Sequence, residues 1–257
     1  MIQNVRRKAL TIAVVIATFS LNACAGLFGL SGDSWQEEVL LHDGSKVVVE
    51  RQTTRGGRHE VGQKPSYTQQ TLIFTHPATG EQIVWEDKAT PDLGNSAFLL
   101  MALDIYHGTA HLVANPMGCL SYNKWGRPNP PYVVFRYDSK NWVRIPLQEL
   151  PPETKTPNLI VSSPDTKVEN FGKRFVDAET IKRLNSGFRQ PEYKAILREP
   201  VEIEEMSCIK ADYYMDAGWL SPDWFSSHPT IEACKKFCQH KNIGADVCPC
   251  ETVFKGK

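Results

Sequence analysis

The sequence predicts a mainly β protein with an α-helical addition: an antiparallel β-hairpin sandwich or open barrel of about eight strands, followed by a helical, disulfide-stapled C-terminal part. Three observations lead there. From Trp35 to Val161, short β-branched and apolar runs alternate with turn residues. After the proline-rich stretch Pro151 to Pro164 the texture changes, and helix-capping signals replace strand signals. Six of the seven cysteines remain once Cys24 near the N-terminus is set aside, and four of them, crowded from Cys234 to Cys250, mark the C-terminal part as cross-linked.

The hairpins come in order. Asp43-Gly44 separates Glu38–Leu41 from Lys46–Val49, and Asp-Gly between β-branched runs is a strong hairpin signal. Thr79-Gly80 separates Leu72–Phe74 from Ile83–Trp85, His107-Gly108 separates Leu99–Leu103 from Ala110–Val113, and Ser139-Lys140 separates Tyr132–Phe135 from Trp142–Ile145. Beyond the prolines, Asp177 is placed to cap a helix through Ile181 and Leu184 that stops at Gly187. A short helix is expected from Pro191, and another near Ile231 to His240 carrying Cys234 and Cys238.

The chain has 257 residues, 41% apolar and 23% charged, with 29 basic and 29 acidic side chains. Such a balance gives no reason to expect a nucleic-acid partner, and the composition is that of a protein with a real core. At the N-terminus, Arg6, Arg7 and Lys8 precede the apolar run Ala9 to Leu21, the layout of a secretory signal. Leu21-Asn22-Ala23-Cys24 then resembles the lipobox of bacterial lipoproteins. The resemblance implies a signal peptide over residues 1–23 and a lipidated (palmitate-bearing) Cys24 as the mature N-terminus. It also implies outer-membrane location facing the periplasm, because Ala25 stands where inner-membrane retention favours Asp. Cleavage after Ala25, giving a soluble secreted protein, and an uncleaved anchor are the competing readings. Removing residues 1–23 takes away three basic side chains and no acidic one, leaving a net charge of −3. Residues 24–34 are expected as a lipidated tether of at most ~30 Å, residues 35–162 as the β domain, and residues 163–257 as the helical cysteine-rich region.

The cysteines pair by pitch. Cys234 and Cys238 stand at i and i+4 of a helix, about 6 Å apart along its axis; Cys248 and Cys250 in an extended Cys-Pro-Cys lie about 6.5 Å apart on one side. Chain reversal between them favours Cys238–Cys248 with Cys234–Cys250, leaving Cys119 for Cys208. Zinc and redox readings of the four are the alternatives, set aside because the spacings are not Cys-x-x-Cys.

No catalytic machinery is legible. His107 and His111 have ligand spacing without the Glu of a zincin, so no metal and no other cofactor is expected. The pairs Glu37-Glu38 and Glu204-Glu205 read as solvated surface, and the basic stretch Arg51 to Glu60 as a solvated loop with lipid or glycan phosphate contact as the alternative. The segment Tyr122 to Tyr132, rich in proline and aromatic residues, reads as a stiff polyproline-like strap; Lys124, Trp125 and Arg127 are its candidate partner-binding residues. The alternative is that its aromatics plug the open end of the sheet. With the tail ending Cys248-Pro249-Cys250, the strap also resembles lipoproteins of proteobacteria that have no assigned activity. The functional expectation is a membrane-tethered, non-catalytic binding or scaffolding module for an envelope protein or glycan. Its alternative is a periplasmic enzyme acting on cell-wall or surface glycan.

Overall fold

The computed structural model describes residues 32–202 and 208–255. The signal segment, Cys24 and the Glu204-Glu205 pair lie outside the described residues. All four expected hairpins are present: β1 (Gly32–Leu40) with β2 (Lys46–Gly56), β3 (Ser66–Thr75) with β4 (Gln82–Lys88), β5 (Phe98–Tyr106) with β6 (Thr109–Pro116), and β7 (Val133–Tyr137) with β8 (Trp142–Ile145). The third closes through a two-residue turn in which His107 and Gly108 both have positive φ, 48° and 74°. That pair of left-handed residues matches the twist of antiparallel strands.

The first two hairpins form one sheet and the last two another, in strand order β5-β6-β7-β8 for the second. Their inner faces share one core, with Val39, Val49, Leu72, Phe74 and Trp85 from the first sheet meeting Phe98, Leu100, Leu112 and Phe135 from the second. The result is a sandwich, not a closed barrel. The second sheet is covered on its other face too: Met101, Ala102, Val113, Val134 and Ile145 pack under Leu150, Val161 and Ile196. Burial on both faces explains why β5 and β6 read as continuous apolar runs, without the in-out alternation seen in β2.

The C-terminal part follows as α2 (Pro164–Phe171), β9 (Phe175–Val176), α3 (Ala178–Ser186), the hairpin β10 (Asp212–Tyr214) and β11 (Gly218–Leu220), α4 (Pro222–Ser226), α5 (Ile231–His240) and α6 (Cys250–Phe254). Asp177 caps α3, its carboxylate accepting the Thr180 N–H at 2.8 Å. Pro191 opens only a single 3₁₀ turn, Pro191–Tyr193.

Four expectations are corrected. Strand β1 begins at Gly32, so Asp33 and Ser34 belong to the sheet and not to a tether. Residues after 162 are not helical alone, because β9 pairs in parallel with β1 (Gln36 with Phe175, Glu37 with Val176) and gives the first sheet the order β4-β3-β2-β1-β9. The two parts are also one compact unit. Finally, Cys-Pro-Cys is not extended, since Cys250 opens α6.

The cysteine pairs are nevertheless those of the pitch argument. Cys119–Cys208, Cys234–Cys250 and Cys238–Cys248 stand at disulfide distance, with Cα separations of 5.2, 5.9 and 6.1 Å. The last two lie in a small core with Leu220, Phe225 and Ile243. Cys119–Cys208 fastens the segment leading to that core onto the sandwich, helped by the Trp219 indole N–H donating to the Asp92 carbonyl at 2.7 Å.

Candidate functional site

The Tyr122 to Tyr132 segment is where the expectation of a binding surface fell, and its first part is helical. A helix α1 (Gly118–Lys124) runs into it, buries Tyr122, and ends in a turn at Gly126 and Arg127, both with positive φ. The strap proper is therefore Pro128 to Tyr132, a correction to the polyproline reading of the whole stretch. Its end is fastened, with the Tyr132 hydroxyl between the carbonyls of Glu192 (2.7 Å) and Ala195 (2.8 Å). Asn129 and Val201 exchange two hydrogen bonds, at 2.9 and 3.0 Å.

Each of the three candidate contact residues already has an internal partner. The Lys124 ammonium donates to Thr90 Oγ1 at 2.8 Å and to Asp92 Oδ1 at 2.9 Å, latching the loop after β4. Arg127 lies over the Tyr122 ring at 4.9 Å and donates to Asn123. Trp125 is half-buried against the main core, its ring centroid 4.8 Å from Phe98 and 6.0 Å from Phe135, with Arg144 stacked on it at 5.5 Å. Of the segment's aromatics, Trp125 packs against the core between the sheets, Tyr132 against the outer face of the second sheet, and Tyr122 is buried under Arg127.

Beside the strap lies an open groove of about 630 Å³, lined among others by Pro128, Asn129, Arg144, Gln148 and Glu199. Arg144, Gln148 and Glu199 are exposed. Arg198 fixes one side, its guanidinium donating to the carbonyls of Leu147, Leu150, Pro151 and Thr154 at 2.7–3.2 Å. Four bonds from one planar group leave those loops little freedom. Only the strap pointed to this place in the sequence. Arg144, Gln148 and Glu199 carry no local signature.

At another place, histidines gather where the turns of β1–β2, β3–β4 and β5–β6 meet around a cavity of about 310 Å³. His42 Nδ1 lies 2.8 Å from Asp104 Oδ1, and Asp104 Oδ2 accepts the Thr154 hydroxyl at 2.8 Å. The hydrogen bond to buried Asp104 raises the His42 pKa above that of free imidazole. His76 is bound at both ring nitrogens, by the amides of Ala78 and Thr79 on one side and the Gly108 carbonyl on the other. His107 is exposed on the turn and His111 is buried in β6, where burial lowers its pKa. Sequence reasoning missed the His42–Asp104–Thr154 chain because its members are 62 and 50 residues apart.

The other flagged charges are structural. Glu37 and Glu38 point to opposite faces of β1: Glu38 pairs with Lys46 at 2.6 Å, while Glu37 is fully buried, which corrects the surface reading. The basic stretch from Arg51 is mostly strand β2. Arg51 is buried against Glu37, and Arg55 grips Asp165 with two nitrogens at 2.7 and 3.0 Å. Burial alone would raise the Asp165 pKa, yet the bonds from Arg55 and Tyr67 hold it below the usual carboxylate range. Arg58 and His59 are left exposed in the turn.

Among the described residues no helix is long and apolar enough to cross a membrane. No protein-family model, curated protein or solved structure matches the chain.

Proposed function

We propose that the protein is a lipid-anchored, non-catalytic binding module of the bacterial cell envelope, held at the outer membrane through Cys24 and facing the periplasm, where it engages an envelope protein or glycan. The observation that carries the binding half is the groove along the strap. It offers a cation, an anion and an amide on the exposed side chains of Arg144, Glu199 and Gln148. Its frame is tied down beforehand by Arg198, Asn129 and Tyr132. A rigid frame lowers the ordering cost of binding, and mixed polar groups suit an extended polar ligand such as a peptide segment or a glycan chain. The anchoring half rests on the ordered signal from Arg6 to Cys24, with two or more acyl chains giving stable membrane attachment.

A periplasmic enzyme acting on cell-wall or surface glycan is the second reading, and one arrangement favours it. An Asp-oriented imidazole beside a cavity is the geometry of a general acid–base group, and His42 with Asp104 has it. Release of soluble fragments from purified cell wall, lost in His42→Gln, is the result that reading requires.

The anchor is tested by Cys24→Ser. The substituted chain is expected to leave the membrane fraction and to incorporate no labelled acyl chain. Retention in membranes with continued labelling contradicts the proposal.

A further inference from the structure

We infer that the four-cysteine cluster of the C-terminal core is, in its reduced form, a zinc site, so that the same four side chains serve as two disulfides or as one metal centre according to redox state. The sulfurs do not stand as two isolated bridges. Cys250 Sγ lies 3.4 Å from Cys248 Sγ and 3.7 Å from Cys238 Sγ, both contacts running between different disulfides. The sulfurs of Cys238, Cys248 and Cys250 all fall within 4.8 Å of one another. Cys234 is bonded to Cys250 and lies just outside that group of three.

Those cross distances are the ones a zinc ion needs. At Zn–S of about 2.3 Å, the edge of a tetrahedron of four thiolates is about 3.8 Å. Two contacts are thus near that length already; the bonded sulfurs have to part and Cys234 Sγ, which stands outside the group of three, has to swing in, both by side-chain rotation. The backbone presentation is also suitable: Cys234 and Cys238 share one face of α5, and Cys248 and Cys250 are held opposite by the turn into α6. Cys234, Cys238 and Cys250 are buried among apolar side chains, which stiffen the setting of the ligands. A cavity of about 370 Å³, lined in part by Cys238, Cys248 and Cys250 with Lys235, Gln239 and Glu251, reaches the sulfurs and gives an ion its path. Four thiolates around Zn²⁺ carry an excess of two negative charges, and soft thiolate ligands favour zinc over calcium or magnesium.

The chemistry balances with a phosphine as reductant. Two disulfides consume two phosphines and two waters, giving two phosphine oxides and four thiols; binding of Zn²⁺ then displaces the four thiol protons. Oxidation by a disulfide-forming partner passes the four electrons of the thiolates to two disulfides of that partner, which become four thiols, and expels the ion. The zinc form is therefore the state of a chain that has not met an oxidising compartment.

The test uses the full chain reduced with phosphine under argon, freed of reductant and exposed to zinc chloride or cobalt chloride alone. The expected result is about one zinc per chain and, with cobalt, the thiolate charge-transfer and visible bands of tetrahedral coordination. Both should persist in the double variant Cys119→Ser, Cys208→Ser and vanish in Cys234→Ser, Cys250→Ser. Oxidised protein should bind none. Because reduction also loosens the small core, near-ultraviolet circular dichroism is followed: zinc should restore the aromatic signal and raise the melting temperature of the reduced chain. Three results overturn the inference. They are a folded reduced chain that takes up no zinc, a reduced chain that stays unfolded in excess zinc, and zinc uptake unchanged in Cys234→Ser, Cys250→Ser.

Discussion

Glu37→Ala should destabilise the protein by about 3–5 kcal/mol, the range for breaking a buried ion pair from one side. Glu37 is 0% exposed and Arg51 is 1% exposed. One Glu37 oxygen accepts the Trp35 indole N–H at 2.7 Å and the Arg51 guanidinium at 3.2 Å; the other accepts the Ile160 amide at 2.8 Å. Removing the carboxylate takes the acceptor from three donors at once and leaves Arg51 the Ile160 carbonyl, at 2.9 Å, and the face of the Trp35 ring, at 5.4 Å. Its charge then has no counter-ion in the interior. Because the Ile160 segment is held to β1 and β2 through this group, the covering layer should loosen with the sheet. Glu37→Gln keeps acceptors for the neutral donors and should lose less. Glu37→Leu combined with Arg51→Met should recover much of the loss, since a buried pair replaced by apolar groups is often neutral. Urea unfolding checks the series, and a Glu37→Ala loss below about 0.5 kcal/mol would be incompatible with the network as described.

Trp125→Ala should cost about 2–4 kcal/mol, toward the lower side of the aromatic truncations seen in cores because the ring is half-buried. The loss comes from its contacts with Phe98 and Phe135 and from the Arg144 cation now facing a void. The indole Nε1 is buried and has no hydrogen-bond partner among the described residues. Trp125→Phe therefore removes an unsatisfied donor along with some area, and should retain more than half of the lost stability. Thermal melts separate the two variants. Equal losses for Ala and Phe would contradict the packing role. If Trp125 were a partner anchor, truncation would reduce binding and leave the melt unchanged, opposite to the result expected here.

Much of the β architecture was legible because hairpins announce themselves locally. Asp43-Gly44, Thr79-Gly80 and His107-Gly108 each supply a residue free to adopt positive φ between runs of strand composition. The same local logic capped α3 at Asp177 and placed Cys234 and Cys238 on one face of α5. What stayed hidden depends on distant partners. Strand β9 is two residues long and exists because β1 offers it an edge. Helix α2 begins at Pro164, a good first-turn residue that reads equally as loop punctuation after Ser162-Ser163. Glu37 looks like its neighbour Glu38 until strand alternation turns one inward to meet Arg51. Trp125 has the composition of an interface anchor, and Phe98, which claims it, lies in β5. For the same reason the candidate site shifted from the aromatics of the strap to the groove beside them. The strap was visible as sequence, whereas the groove needs β8 and the residues around Arg198 to be folded against it.

The central claim is that this groove engages a partner while the chain is held at the membrane. A photo-crosslinking side chain placed at Gln148 of the full-length chain in living cells tests it most directly. A discrete crosslinked envelope component is expected at Gln148, reduced by Arg144→Glu, absent when the probe is moved to exposed Val61, and lost with Cys24→Ser. No product at Gln148, or the same products from Gln148 and Val61, would contradict it.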